Sequence, residues 1–186
     1  MILALVLATP GCSPEPPKDN ALLDPWTGPY GGVPAFDRME VSDLKPALEA
    51  AMATKQAEIE AIVSNPEPPT FDNTLVALED AGRDLDRVEV YLGIWRSNLS
   101  SPEFRQINDE MAPRLAEFDT AVYQNQALFD RIKAIHDNFA PASLDAEQQR
   151  LLKTSYLRFV RGGALLTGEA RERYAAINKK LAELQT

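Results

Sequence analysis

Apolar side chains recur along most of this chain at spacings of three and four residues, the pattern of helices with one buried face. The first such segment predicts a helix from Ser42, a favourable N-cap, to Asn65, because the residue before a proline is biased away from the α region. Its apolar face consists of Leu44, Leu48, Met52, Ile59 and Ile62.

A seven-residue repeat marks the next segment and predicts one long helix whose seam faces a partner helix. The repeat consists of Leu78, Leu85, Leu92 and Leu99, supported by Ala81, Val88 and Trp95. Ser101, Pro102 and Glu103 supply the cap, the first-turn proline and the first-turn acid of a third helix. Its apolar line continues to about Asn138, with a break expected near Asn125.

Two further helices complete the pattern. Asp145 and Gln148 resemble a capping box, and the helix that they open ends at Gly162-Gly163. A last helix begins at about Thr167 and carries Tyr174, Ile177, Leu181 and Leu184 on one stripe. No segment alternates β-branched and polar residues, so the fold class is all-α, an antiparallel bundle of about five helices. The last helix has no terminating signal, so the domain is expected to be truncated at its C-terminal end.

The region before the helices is rich in proline, with eight of the 14 prolines in the first 46 residues. Proline interrupts helices, so residues 22–41 should form an extended, turn-rich strap. Its Trp26, Tyr30 and Phe36 are too apolar for a free linker and should dock on the helices. We therefore assign residues 22–186 to one helical domain that includes the strap.

The amino terminus has the features of a targeting segment. Met1 to Ala8 is an apolar run of the length of a secretory signal, too short to span a bilayer. It leads to Cys12, in a setting that resembles the lipobox of bacterial lipoproteins. This predicts a signal peptide at 1–11, lipid attachment at Cys12 and a polar tether at 12–21, and hence a periplasm-facing lipoprotein of the bacterial cell envelope. The alternative is that this leader is untranslated or disordered and that the Cys12 thiol has no function. The protein would then be cytoplasmic.

Charge and composition exclude several chemistries. The net charge of −9 repels phosphate backbones, so nucleic acid is not an expected partner. One cysteine and one histidine cannot form an internal disulfide, a Cys₂His₂ site or an HExxH zinc motif. The single histidine, His136, should be a surface residue at a helix end. The acidic group Glu79, Asp80, Asp84, Asp86 and Glu89 should form a solvated helix face with i,i+4 pairs such as Glu79 to Arg83.

Several short segments of the chain have distinctive sequences. They are Trp26 to Asp37, Lys45 to Met52, Asn65 to Thr74 (NPEPPTFDNT), Leu128-Phe129 with Arg131, Glu147 to Leu151, Arg158 to Gly163 (RFVRGG) and Ile177-Asn178. In this order and spacing they resemble the amino-terminal region of the thimet oligopeptidase family of zinc metallopeptidases. Within this family, these segments are most similar to the oligopeptidase A and peptidyl-dipeptidase branch.

The resemblance implies the amino-terminal helical part of a larger, mostly helical peptidase. In that family HExxH supplies two zinc ligands and the general base, and zinc-activated water attacks the peptide bond of short peptides. None of those residues is present here, so no catalytic, cofactor-binding or metal-binding residue is assigned. The chain should bind no zinc and be inactive without the missing catalytic part of the same protein. Trp26, Tyr30, Phe36 and Phe71 are interpreted as packing residues. The alternative function is a non-catalytic helical lipoprotein that acts as a binding or interaction module.

Overall fold

The fold is all-α, as predicted from the sequence. The computed structural model describes residues 20–29, 32–138 and 143–185, and these ranges contain no β-sheet. A 3₁₀ turn at Val41–Asp43 precedes the first helix, and a π-helical segment at Phe71–Val76 precedes the second. The helices are α1 (Leu44–Val63), α2 (Ala77–Asp80), α3 (Arg83–Asn98), α4 (Pro102–Tyr123), α5 (Gln126–Asn138), α6 (Ala146–Arg161) and α7 (Gly168–Leu184). Among the described helices, none is long and apolar enough to span a bilayer.

Local capping fixes most of the helix ends that the sequence indicates. The Ser101 hydroxyl accepts the Phe104 N–H at 3.1 Å at the start of α4, with Pro102 in the first turn. At the start of α6, Asp145 and Gln148 form the predicted capping box. The end of α6 has the paired hydrogen bonds of a Schellman motif, with Gly163 in the left-handed region at φ +94°. The break near Asn125 is also confirmed, since α4 ends at Tyr123 and α5 begins at Gln126.

Two predicted boundaries are wrong. Ser42 is not the N-cap of α1, because Glu40 and Asp43 form a capping box around the 3₁₀ turn and α1 begins at Leu44. The long helix through the seven-residue repeat is broken at Gly82, which adopts φ +89° at the junction of α2 and α3. Residues in the left-handed region cannot continue an α-helix. Leu99, the last residue of the repeat, lies past the end of α3 and is 53% exposed.

The side chains of α1 hold this break in place. The Glu58 carboxylate accepts the Gly82 N–H at 2.7 Å, satisfying a donor that the bend leaves free. The alkyl stem of Lys55 passes directly over Gly82, so close that a Cβ atom there would lie 2.6 Å from the Lys55 Cδ. The positive φ therefore favours glycine at this position, and a larger residue would also have to displace the flexible Lys55 side chain.

The core is divided into clusters along the bundle. The first joins the strap, α1, α3 and α4 around Leu48, Leu85 and Tyr91, and the second joins α1, α5 and α6 around Ile59, Phe129 and Phe159. A small third cluster, with Leu75, Ile135 and Leu152, lies under the π-helical segment. The apolar face predicted for α1 is confirmed, with Leu44, Leu48, Ile59 and Ile62 buried and Met52 partly buried.

Three polar contacts join α7 to α4 and the residue after it. Arg171 donates to the backbone carbonyl of Gln124 at 2.7 Å, Asn178 donates to the Thr120 hydroxyl at 3.2 Å, and Lys179 pairs with Glu117 at 2.8 Å. The two helices are antiparallel, because rising numbers on α7 meet falling numbers on α4. Ile177, Leu181 and Leu184 of α7 are 49%, 50% and 70% exposed, and Leu181 also lines a cleft between α4, α6 and α7. These three residues form an apolar stripe that no described segment covers.

Candidate functional site

A polar cleft of about 220 Å³ opens between α1, α4 and α6 at the α2–α3 junction. We call it the acidic cleft, because carboxylates from three different helices line it beside two cations. Its polar lining consists of Lys55, Glu79, Asp86, Asp119, Tyr123, Ser155 and Arg158. The cleft brings together residues more than a hundred positions apart in the sequence, from Lys55 to Phe159, so no local motif indicates it.

The acidic group of α2 and α3 is exposed to solvent, as expected, apart from the partly buried Asp84, but its members have different partners. Asp80 and Asp84 form i,i+3 ion pairs with Arg83 and Arg87, whereas Glu79 and Asp86 line the cleft. The predicted i,i+4 pair between Glu79 and Arg83 is absent, and Arg83 pairs with Asp80 instead. The reason is the break at Gly82, which lies between Glu79 and Arg83 and removes the helical register that the prediction assumed.

The electrostatics of the cleft disfavour the charged form of one of its carboxylates, Asp119. Partial burial raises the pKa of Asp119 above its usual range, Lys55 opposes this shift and Asp86 adds to it. The pKa of Glu89 is raised as well. Burial is the largest cause, and the nearby negative charge of Asp119 is the second. The pKa of the Tyr123 hydroxyl is raised for the same reason, mainly by burial. The solvated position predicted for Glu89 agrees with its exposed side chain, whereas no sequence pattern indicated Asp119, which is also exposed.

This arrangement predicts a pH dependence of stability. A carboxyl whose pKa is raised by folding binds protons more tightly in the folded state, so stability falls as pH rises through the window between its ordinary and its raised pKa. We expect Asp119→Asn to raise the free energy of unfolding at pH 7 by roughly 0.5 kcal/mol, the scale of solvent-screened charge interactions. Urea unfolding between pH 4 and pH 8 should show a flatter pH profile for this variant.

The matched control is Asp109→Asn, which removes an exposed carboxylate from the same helix outside the cleft. It lowers the net negative charge by the same amount, so it separates the local effect from the overall charge of −9. Equal stabilisation by both variants, or destabilisation by Asp119→Asn at pH 7, would contradict the interpretation.

The strap docks on α3, as predicted from its aromatic residues. The ring of Tyr91, which is fully buried, makes edge-to-face contacts with Trp26 and Phe36 at centroid distances of 5.9 and 5.6 Å. The Tyr91 hydroxyl accepts the Ala35 N–H at 2.9 Å, and Arg87 donates to the Leu23 carbonyl at 3.1 Å. Trp26 and Phe36 are therefore packing residues, and Tyr30 lies outside the described residues.

A buried arginine organises the proline-rich segment between α1 and α2. Arg131 of α5 is 9% exposed and donates to the Asn65 carbonyl and the Asn73 side-chain oxygen, both at 3.0 Å. It also reaches the Glu67 carbonyl at 3.4 Å and the hydroxyl of buried Thr74 at 3.3 Å. All of these acceptors are neutral. Phe71 packs beside this network in the third cluster, as predicted for a packing residue.

The single histidine lies at the end of α5, where it was expected. Its ring stacks on Tyr156 at a centroid distance of 3.9 Å, and its Nδ1 lies 3.0 Å from the Asp137 carboxylate. Within the described residues, no three His, Cys, Asp or Glu side chains are grouped so as to hold a metal ion. These residues therefore do not fit the zinc centre that the family resemblance implies. Cys12, the candidate lipid attachment site, lies outside the described residues.

Comparison with known proteins assigns this helical domain. The family model for the neurolysin/thimet oligopeptidase N-terminal domain matches residues 46–171. The chain therefore belongs to this family, as predicted from the resemblance of its short sequence segments. The matched region extends from the first turn of α1 to the first turn of α7 and includes the acidic cleft and the Arg131 network.

The similar curated proteins are peptidases. Dipeptidyl carboxypeptidase of Salmonella typhimurium is 35% identical over 167 residues, which cover 90% of this chain and 24% of that protein. Dipeptidyl carboxypeptidase of Escherichia coli is 33% identical over 165 residues, with 89% and 24% coverage. Oligopeptidase A of Salmonella typhimurium is 27% identical over 152 residues, with 82% and 22% coverage. The chain thus spans about a quarter of the length of these relatives.

Proposed function

We propose that this chain is the amino-terminal helical domain of a zinc-dependent peptidase that hydrolyses short peptides. The observation that carries the proposal is the family match over residues 46–171. The names of the relatives support the substrate class, because dipeptidyl carboxypeptidase and oligopeptidase A both describe action on peptides.

The zinc centre of this proposal lies outside these 186 residues. A chain with one histidine cannot supply the two histidines of an HExxH motif, and the described residues hold no metal-binding group. The partner of the domain is then the remaining polypeptide of a protein about four times as long, judged from the relatives. The apolar stripe of α7 is a surface that such a polypeptide could cover. Without it, the chain is inactive.

The test is to read the gene in frame beyond the codon for Thr186 and to express the longer product. We expect an HExxH motif downstream, and hydrolysis of short peptides that a chelator abolishes and added zinc restores. The 186-residue chain is the control, and it should neither retain zinc nor hydrolyse peptides. A stop codon directly after Thr186, or activity that a chelator leaves unchanged, would overturn the proposal. The stop codon would favour the alternative, a non-catalytic helical binding module.

We further propose that the protein is exported and anchored through a lipid on Cys12. The support is the apolar run from Met1 to Ala8 followed by this cysteine. In a bacterial host, Cys12→Ala should move the protein from the membrane fraction to the soluble fraction, because an acidic domain without its acyl anchor has no affinity for anionic lipid. Ser13→Ala is the control, since it changes the adjacent residue and keeps the thiol. Unchanged membrane association of Cys12→Ala would contradict the anchor.

A further inference from the structure

The charged groups of the acidic cleft do not neutralise one another. Three carboxylates, each from a different helix, line it together with two cations: Glu79, Asp86, Asp119, Lys55 and Arg158. None of these five side chains forms an ion pair within the part of the chain that the structure describes. The carboxylates outnumber the cations, and Glu89 beside the cleft adds a further negative charge near Asp119. The cleft therefore has an excess of negative charge.

A buried hydroxyl group lines the same cleft without a partner. Ser155 of α6 is 3% exposed, and its hydroxyl forms no hydrogen bond with any described residue. Among the described residues, the unpartnered side-chain atoms that are fully enclosed belong to Trp26 and Arg87, so the Ser155 hydroxyl keeps contact with the open space of the cleft. Buried polar groups are normally hydrogen-bonded, so a molecule within the cleft must supply the partner of this hydroxyl.

The lining of the cleft fits an organic cation better than a metal ion. Within the described ranges, no three His, Cys, Asp or Glu side chains are grouped so as to hold a metal. The rest of the lining is mainly apolar, with Leu78, Ala81, Val122, Phe159 and the ring of Tyr123. A volume of about 220 Å³ is below the range of about 300–1,000 Å³ that is usual for drug-sized ligands. The ligand is therefore a small molecule with one charged end and a short hydrocarbon part.

We propose that the acidic cleft binds a small primary amine, whose ammonium group pairs with Asp119 and donates to the Ser155 hydroxyl. Its hydrocarbon part packs against Tyr123 and Phe159, whose rings contact each other edge to face at 5.3 Å. Asp119 is the preferred partner because its surroundings disfavour its charged form, and a cation beside it offsets this. The site needs neither zinc nor further polypeptide, so the proposal does not rest on the proposed peptidase activity.

The test is a titration of the 186-residue chain at pH 7 with n-butylamine, followed by nuclear magnetic resonance of the backbone amides. The neutral comparison ligand is 1-butanol, which has the same chain and carries a hydroxyl in place of the ammonium. The amine should shift the amides around the cleft saturably, with a dissociation constant of about 1–10 mM, since so small a ligand makes few contacts. Butanol should bind at least about tenfold more weakly, because it cannot form a charge-assisted hydrogen bond. Potassium chloride, as the control for an inorganic cation, should not cause these shifts.

Two variants locate the site. Asp119→Asn should weaken the binding of butylamine at least about tenfold, whereas Asp109→Asn, on an exposed position of the same helix outside the cleft, should keep it. Ser155→Ala should weaken binding about threefold without loss of stability, because the hydroxyl that it removes has no partner in the protein. Circular dichroism checks that each variant is folded. The proposal is overturned by an absence of saturable shifts, by equal affinity for butanol, by the same shifts with potassium chloride, or by an equal loss in Asp109→Asn.

Discussion

Replacing Tyr91 by alanine should lower the free energy of unfolding by about 3–5 kcal/mol, the usual cost of truncating a large buried aromatic residue. The ring is fully buried, and it contacts both Trp26 and Phe36 of the strap. Its hydroxyl also accepts the backbone N–H of Ala35. Because all three contacts are lost together, the strap should leave the surface of α3 before the bundle unfolds.

The conservative variant Tyr91→Phe separates the two parts of this effect. It keeps the ring and removes only the hydrogen bond to Ala35, so the expected cost is about 1 kcal/mol. Urea unfolding gives the stability of each variant, and hydrogen exchange of residues 32–38 reports whether the strap stays docked. If these amides exchange as slowly in Tyr91→Ala as in the unaltered chain, the strap is held by other contacts and Tyr91 is not its anchor.

Helical periodicity identified most of the buried faces, because burial of an amphipathic helix depends on spacing that is visible in the sequence. The stripe of α1 and the capping residues Ser101 and Asp145 are examples in which local chemistry decides the structure. Tyr91 was missed although a signal existed. It lies three residues after Val88 and four before Trp95, which places it on the same buried face as the seven-residue repeat.

Features that depend on distant partners could not be predicted in this way. A single glycine within a helical pattern is usually tolerated, so nothing local marked Gly82 as a break. The break depends on Glu58 and Lys55, more than twenty residues earlier in the chain. The acidic cleft has the same origin, because Asp119 meets the carboxylates of α2 and α3 only after the bundle has formed.

The segment from Asn65 to Thr74 shows what a family resemblance can indicate where the helical periodicity of apolar residues gives no signal. The segment has no helical stripe, yet its polar atoms are arranged around one side chain, the guanidinium of Arg131. Asn73 also caps the π-helical segment, because its side chain accepts the Thr70 N–H at 2.8 Å. One guanidinium binds acceptors in both the loop and the cap. Only a few loop sequences can therefore place these acceptors correctly.

Replacing Arg131 by methionine should therefore lower the free energy of unfolding by about 3 kcal/mol. Methionine fills much of the same space but donates no hydrogen bond. The carbonyl of Asn65 and the hydroxyl of buried Thr74 would each lose the donor that satisfies them inside the protein. Because the arginine reaches these acceptors from α5, its loss should also loosen the link between α5 and the segment before α2.

Lysine at the same position tests whether charge or geometry is required. Arg131→Lys keeps the charge but has a single nitrogen, which cannot reach acceptors spread over the loop, the cap and Thr74 at once. We expect it to be nearly as destabilising as methionine, while the exposed control Arg150→Met on α6 should change stability by less than about 0.5 kcal/mol. Urea unfolding measures all three. Full stability of Arg131→Lys would mean that a positive charge is sufficient, and that the forked geometry of arginine does not hold this loop.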